Sequence, residues 1–150
     1  MLNVVYSLLS RFSHWRTAKG PAHLHTGLWG ENLAEQHLKD KKYRIIGRRV
    51  LVGKRDELDI IARSPDDVLV FIEVKARANE LFGRPFSAVD RRKRKILSRA
   101  ALRYMMRLKS KPDYFRFDVV EVIGTPEQKS PTIRHIENAF PLSGNKRIPW

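Results

Sequence analysis

The clearest pattern of apolar and polar positions lies between Glu57 and Arg77, which reads ELDIIARSPDDVLVFIEVKAR. Two apolar runs flank the turn signal Ser-Pro-Asp-Asp, and this predicts a β-hairpin. Strand side chains alternate between faces. In the second run Val68, Val70, Ile72 and Val74 therefore line one face, and Leu69, Phe71, Glu73, Lys75 and Arg77 the other. In the first run Leu58, Ile60 and Ala62 share a face, opposed by Glu57, Asp59 and Ile61. The face carrying Glu73 starts apolar and ends charged, as if the strand ran out of a core into a polar cleft. The plainer reading is a strand end that reaches solvent, with Glu73 and Lys75 as a weak surface pair.

The remaining pattern places other elements around this hairpin. Leu33, Ala34, His37 and Leu38 recur at helical spacing and predict a helix from about Leu28 to Lys41. YRIIGRRVLV reads as a strand with a glycine interruption. NELFGRPFSAVD is a loop ending in a helix start. The long helix AVDRRKRKILSRAALRYMMRLK then puts Val89, Ile96, Leu97, Ala100, Tyr104, Met105 and Leu108 on its apolar side. YFRFDVVEVIG and TIRHIENAF close the domain as two strands, or as a strand and a short ending. Residues 1–26 have no clear periodicity and are expected to form a flexible extension. Residues 27–140 form the folded domain, and 141–150 a loose tail. Helix, three strands, long helix and one or two strands predict an α/β fold, with a mixed central sheet flanked by helices.

Charge changes this picture more than size does. The 150 residues suit one domain, and the absence of cysteine excludes disulfides, thiolate zinc sites and a cysteine nucleophile. It is compatible with a reducing compartment, and a cytoplasmic protein is expected. The sequence has no apolar run of transmembrane-helix length. Against this ordinary background stand 30 Lys and Arg facing 16 Asp and Glu, a net charge of +14. A polyanion is the natural partner, because neutralised phosphates release condensed counterions. DNA is the expected ligand, RNA is not excluded, and anionic membrane is the competitor. Arg91, Lys95, Arg99, Arg103 and Arg107 recur every four residues of the long helix. Like charges at that spacing weaken an isolated helix slightly, and a nearby phosphate backbone would offset this. Arg77 extends the nucleic-acid-binding set from the hairpin. A solvated basic face is the alternative.

The acids of the hairpin carry the candidate chemistry. If the turn is Pro65-Asp66-Asp67, Ser64 pairs with Val68, and the register sets Asp59 opposite Glu73 and Glu57 opposite Lys75. A turn one residue shorter or longer would put Asp59 and Glu73 on opposite faces. Facing carboxylates repel, and a divalent metal reverses the sign. Mg²⁺ and Mn²⁺ favour such hard oxygen ligands, Mg²⁺ commonly with one or two carboxylates plus water and substrate phosphate. A neighbouring lysine would offset phosphoryl charge or help orient the attacking water. On the first helix, Glu31 is placed either to reach the same cleft as a further ligand or merely to complement a positive helix N-terminus. Glu35 is the competing acid. Asp118, inside the apolar FRFDVVEV, reads as structural rather than catalytic. The five histidines show no metal-ligand spacing, and there is no glycine-rich phosphate loop.

Taken in order, GLWGENLAEQHLKDKKYRIIGRRV, ELDIIA, VLVFIEVKAR, FGRPFSAVDRRKRKIL, FRFDVVEV and IENAF resemble the YraN family of uncharacterised bacterial proteins. That family is similar in pattern to the PD-(D/E)xK nuclease superfamily, particularly archaeal Holliday-junction resolvases. The resemblance implies a restriction-endonuclease-like core with a Mg²⁺- or Mn²⁺-dependent nuclease site. Carried over residue by residue, the helix acid is Glu31, the strand acid is Asp59, and the acid-x-lysine motif is Glu73 and Lys75. Glu31, Asp59 and Glu73 would hold the metal, and Lys75 would sit against the scissile phosphate or the attacking water. One position departs from the pattern: Asp56 stands where the family usually has glycine, and would strengthen metal binding or alter the turn. The implied activity is an endonuclease on DNA, with branched or structured DNA among its substrates. The alternative is a non-catalytic nucleic-acid-binding protein on the same scaffold. A homodimer is implied by analogy alone.

Overall fold

A computed structural model describes residues 22–80, 89–144 and 148. Most of the predicted N-terminal extension (1–21), part of the loop before the long helix (81–88), and residues 145–147 and 149–150 lie outside the described residues. The predicted hairpin is formed by β2 (Asp56–Arg63) and β3 (Leu69–Arg77). Its turn is the three-residue one: the Ser64 N–H donates to the Val68 carbonyl (3.0 Å), and the Asp67 N–H donates to the Ser64 carbonyl (3.0 Å). Asp67 takes the left-handed conformation, φ 61°, which Asp tolerates better than most residues. The resulting register pairs Arg63 with Leu69 and Ile60 with Ile72.

Around the hairpin the chain completes a five-stranded sheet in the order β1-β2-β3-β4-β5. β1 (Arg44–Val52) pairs antiparallel with β2. After β3 the chain crosses over through α2 (Arg91–Met106) to β4 (Phe115–Ile123), which pairs parallel with β3. Parallel neighbours need such a crossover. β5 (Thr132–Phe140) then returns antiparallel to β4, so the last segment is a full strand. The sheet is mixed, as predicted, and each face has its own apolar cluster. Leu69, Phe71 and Phe117 pack with Leu97, Ala100 and Met105 of α2. Val70, Ile72 and Val120 pack with Ala34 and Leu38 of α1 (Ala22–Asp40) on the other face.

Three details differ from the sequence reading. α1 starts at Ala22 rather than near Leu28, because Thr26 and Gly27 continue the helix instead of opening it. On α2, Ile96 is only half-buried, whereas Ser98 is fully buried and its Oγ accepts from the Ser143 N–H (2.9 Å). With Leu142 packed on the α2-side cluster, the chain stays against the body of the fold to residue 143. In β2, Leu58 belongs with Ile61 to the α2-side cluster, while Ile60 and Ala62 belong to the other. The strict alternation of that strand therefore slips at Asp59.

Asp118 is structural, and the reason is a bulge. Phe117 pairs with Phe140 but Val119 pairs with Ile136, so β5 carries extra residues opposite Asp118. The fully buried Asp118 carboxylate fills the gap. It accepts from the Asn138 N–H (2.9 Å) and from Arg116 (2.9 and 3.2 Å), and pairs with His135 Nε2 (2.8 Å). Burial pushes this carboxyl up, but the hydrogen bonds from His135, Arg116 and Asn138 outweigh it and hold the group below its ordinary 3.8. Asp118→Ala is expected to lower unfolding free energy by about 3–5 kcal/mol, the usual cost of stripping one partner from a buried charged network. A depressed carboxyl stabilises the fold above the unfolded-state value and loses that contribution as the pH falls through its folded value. Urea midpoints of the wild type should therefore drop below about pH 4, and those of Asp118→Ala should change less over the same range.

Candidate functional site

β2 and β3 stop pairing at the predicted acids. The ladder ends at Ile60–Ile72, so the next position would oppose Asp59 to Glu73. There Asp59 Oδ2 accepts from the Val74 N–H at 2.9 Å, a side chain standing in for a ladder bond. The β1–β2 ladder also skips this level, pairing Arg48 with Ile60 and Val50 with Leu58. Arg49, which lies between, has φ 48°, a conformation rare for a side chain of its size. Both ladders are thus interrupted at one level beside β3. Such backbone outliers cluster at functional sites.

Glu73 lies on the α2-facing side, 3 % exposed. Its Oε1 receives Lys75 Nζ at 2.9 Å and Lys93 Nζ at 3.2 Å. Its Oε2 is buried without a hydrogen-bond partner. Asp59 is pushed up to about 7, first by burial and then by the neighbouring Glu73 charge. The Val74 N–H and Lys93 oppose this shift, and Glu31 adds to it weakly.

Glu31 enters from α1. Because the helix begins at Ala22, Glu31 stands in its middle and cannot serve as a first-turn complement to the helix dipole. Its neighbour Gly30 is required by packing, since a Cβ there would meet Ala76 Cβ at 2.7 Å. That close approach brings Glu31 to the edge of β3. It lies 3.8 Å from Arg48 and 3.9 Å from Arg49, and its Oε2 is buried without a hydrogen-bond partner. Burial raises its carboxyl, with Arg49 and Arg48 opposing and Glu57 and Glu73 contributing. Glu35 turns to Lys39 (2.6 Å) and Arg48 (2.6 Å), which makes it a supporting residue.

Orphaned carboxylate oxygens on Glu31 and Glu73, beside a raised Asp59, form a donor set that a hard divalent cation fits. Among the described residues no three acids or histidines are gathered into a finished cage. Asp59 and Glu73 form a pair, and Glu31 approaches it from the neighbouring layer.

Two residues near this site were missed in the sequence. Lys93 was hidden by the four-residue stripe beside it, but it precedes Leu97 and Ala100 on the buried side of α2. A lysine heading an apolar stripe was the available signal. Glu121 of β4 is 2 % exposed and is the register partner of Lys75. The predicted binding stripe Arg91, Lys95, Arg99, Arg103 and Arg107 is exposed along α2. Arg77 closes β3, its carbonyl accepting from the Gly124 N–H (2.8 Å). Asp56, expected either beside the metal or in the turn, points to the middle of α2. There it accepts two hydrogen bonds from Arg99 (2.7 and 2.6 Å) and one from Arg103 (3.4 Å). These groups, with Lys54, Arg55 and Arg107, line a groove of about 730 Å³.

The fold and this cluster define a mixed-sheet α/β protein with a half-buried Asp59 and a buried Glu73 at a strand break, flanked by a basic helix. The chain belongs to the family described as "Uncharacterised protein family UPF0102", which matches residues 30–122 and is the YraN family of the sequence resemblance. It is 44% identical over 117 residues to a UPF0102 protein of Syntrophomonas wolfei, covering 76% of this chain and 96% of that one. A UPF0102 protein of Clostridium acetobutylicum is 41% identical over 119 residues, covering 77% and 93%. One from Porphyromonas gingivalis is 38% identical over 120 residues, covering 80% and 87%. No solved structure matches the chain. The family match spans Glu31, Asp59, Glu73, Lys75 and Lys93, and ends before β5.

The raised Asp59 carboxyl carries a stability consequence in metal-free protein. Its folded value lies above its ordinary 3.8, so the ionised group destabilises the fold fully above about pH 7, and the penalty is relieved as pH falls towards 3.8. Asp59→Asn keeps an acceptor for the Val74 N–H and removes the charge. In EDTA it should melt about 3–6 °C above wild type at pH 8, with the gap shrinking by pH 5.

Proposed function

We propose that this protein is a Mg²⁺- or Mn²⁺-dependent endonuclease on a restriction-endonuclease-like core, hydrolysing phosphodiester bonds in DNA. The observation that carries the reading is the half-buried Asp59 beside the buried Glu73 where β2 and β3 part, with Glu73 Oε2 unpartnered and lysines at Oε1. Two facing acids are costly as structure alone, and a phosphodiester-hydrolysing metal site requires them.

In this reading Asp59 and Glu73 hold the cation, with Glu31 ligating directly or through water. When bound, the cation supplies an acidified water and positive charge against the developing phosphoryl charge. Lys75, on the same face as Glu73, offsets charge on the scissile phosphate or orients the attacking water. The exposed cations of α2 carry the backbone of the substrate. They run from Arg91, beside Lys93, to Arg107 at the groove. Sixteen residues at about 1.5 Å each make a track of roughly 24 Å, room for several phosphates. Branched DNA is the structured substrate favoured by the resemblance.

A non-catalytic nucleic-acid-binding protein on this scaffold is the second reading. It is favoured by the absence, among the described residues, of three acids gathered for a metal. The two separate on one experiment: linear duplex, single-stranded and four-way-junction DNA incubated with Mg²⁺ or Mn²⁺. The nuclease reading expects cleavage by wild type, reduced at least about a hundredfold in Glu73→Ala and Asp59→Asn, with DNA binding largely kept. Equal cleavage by the variants overturns the site. Salt-sensitive binding without cleavage on all substrates selects the second reading.

A further inference from the structure

Lys93 is the one side chain of α2 that joins the acid pair without having been assigned a part in it. Its backbone is fixed: the N–H donates to the N-cap Asp90 carboxylate at 2.7 Å, in the first turn of the helix. Its side chain is about one-third exposed, and its ammonium rests 3.2 Å from Glu73 Oε1. Lys75 already occupies that oxygen at 2.9 Å, while the buried Oε2 has no hydrogen-bond partner. Two ammonium groups thus crowd one oxygen of a carboxylate whose other oxygen goes without. This is a poor final state for a buried acid. It is a sensible resting state for a site that exchanges cations.

We propose that Lys93 is a phosphate-binding residue held in reserve on Glu73, and that it turns to the substrate when a divalent cation takes the carboxylates. The assignment rests on the metal-site reading above and adds a group to it. Lys75 shares a strand and a face with Glu73, two residues along, and makes the closer contact, 2.9 Å against 3.2 Å. Lys93 reaches it across the gap between layers, from the first turn of α2. A dication beside Glu73 repels both ammoniums, and Lys93 has a four-carbon stem on which to leave. Arg91 and Lys95 are exposed close by, and the helix N-terminus itself favours anions. Lys93 therefore lies between the acids and the start of the basic stripe, where a phosphate leaving the site would next be met.

The test reads binding rather than turnover. Free Mn²⁺ is followed by electron paramagnetic resonance in wild type, Lys93→Met, Lys93→Arg, Glu73→Gln and the surface control Lys109→Met. Affinity for a duplex is measured separately in Ca²⁺ across a salt series. Lys93→Met should tighten Mn²⁺ binding about three- to tenfold without DNA, because a competing charge is gone. It should weaken duplex binding about three- to tenfold and lower the salt slope by about one. Lys93→Arg should restore the duplex affinity, and Lys109→Met should change the Mn²⁺ affinity little. Unchanged or weaker Mn²⁺ binding in Lys93→Met, or unchanged duplex affinity, overturns the role of Lys93 and leaves the metal centre standing. A wild type that binds no Mn²⁺, or a Glu73→Gln that binds it equally well, overturns the centre and this assignment with it.

Discussion

The structure is organised around one electrostatic problem: Asp59 and Glu73 lie side by side, mostly out of water, at a level where two strand ladders fail together. Burying one carboxylate is expensive, and burying two in contact more so. Every neighbouring element contributes something that makes the pair tolerable. β3 offers the Val74 N–H and Lys75, α2 offers Lys93, and β1 offers Arg48 and Arg49 to the nearby Glu31. The compensation is incomplete, as the unpartnered oxygens of Glu73 and Glu31 record. A core built only for stability would replace such a group with packed apolar side chains at little cost.

Acids of β2 and β3 also help to position α2. Its apolar side packs on β2 and β3 through Leu97, Ala100 and Met105, but apolar packing alone allows a helix to slide and roll. Two ion pairs limit that freedom in the metal-free protein. Glu73 holds Lys93 near the N-terminal end, and Asp56 holds Arg99 by two hydrogen bonds farther along. The pairs are six residues apart, about 9 Å of helix. The basic stripe is thereby held at a set distance and angle from the acid pair. Asp56 stiffens the support of the site from outside it.

What could be read from the sequence was whatever depends on period and turn length. The register of β2 on β3 followed from three residues, Pro65, Asp66 and Asp67, because turn length decides which face each side chain takes. The acid pair followed from that register. The mixed sheet followed from the element order, since a long helix between two strands forces a parallel crossover. The limits came where a residue answers to the third dimension. Alternation put Leu58 with Ile60, but the bend at Arg49 and Asp59 put it with Ile61. Thr26 and Gly27 resemble a helix start, yet nothing local forbids a helix from passing through them. Lys93 looked like one more member of a charge run, and only the packing of Leu97 and Ala100 shows which way it faces. Asp118 was legible as structural but not in its purpose, because the bulge it fills lies on β5, some twenty residues away.

A strongly basic chain with an acidic centre can look like a contradiction, and the geometry resolves it by distance. The net charge of +14 acts over roughly the 10 Å reach of electrostatics at ordinary ionic strength, and in the proposed function it would draw a polyanion towards the exposed face of α2. Within a few ångströms of Glu73 the carboxylate oxygens are incompletely satisfied, and there the proposed function would place a cation. In that reading the two ligands would favour one another. A cation on the acids removes the repulsion between them and an arriving phosphate, while the phosphate supplies oxygen ligands that the pair alone does not complete. Neither charge pattern explains the other in isolation: the stripe without the acids would be a binding surface, and the acids without the stripe would be an unstable core. Their contact, through Lys93 at the first turn of α2, is where the two patterns become one site.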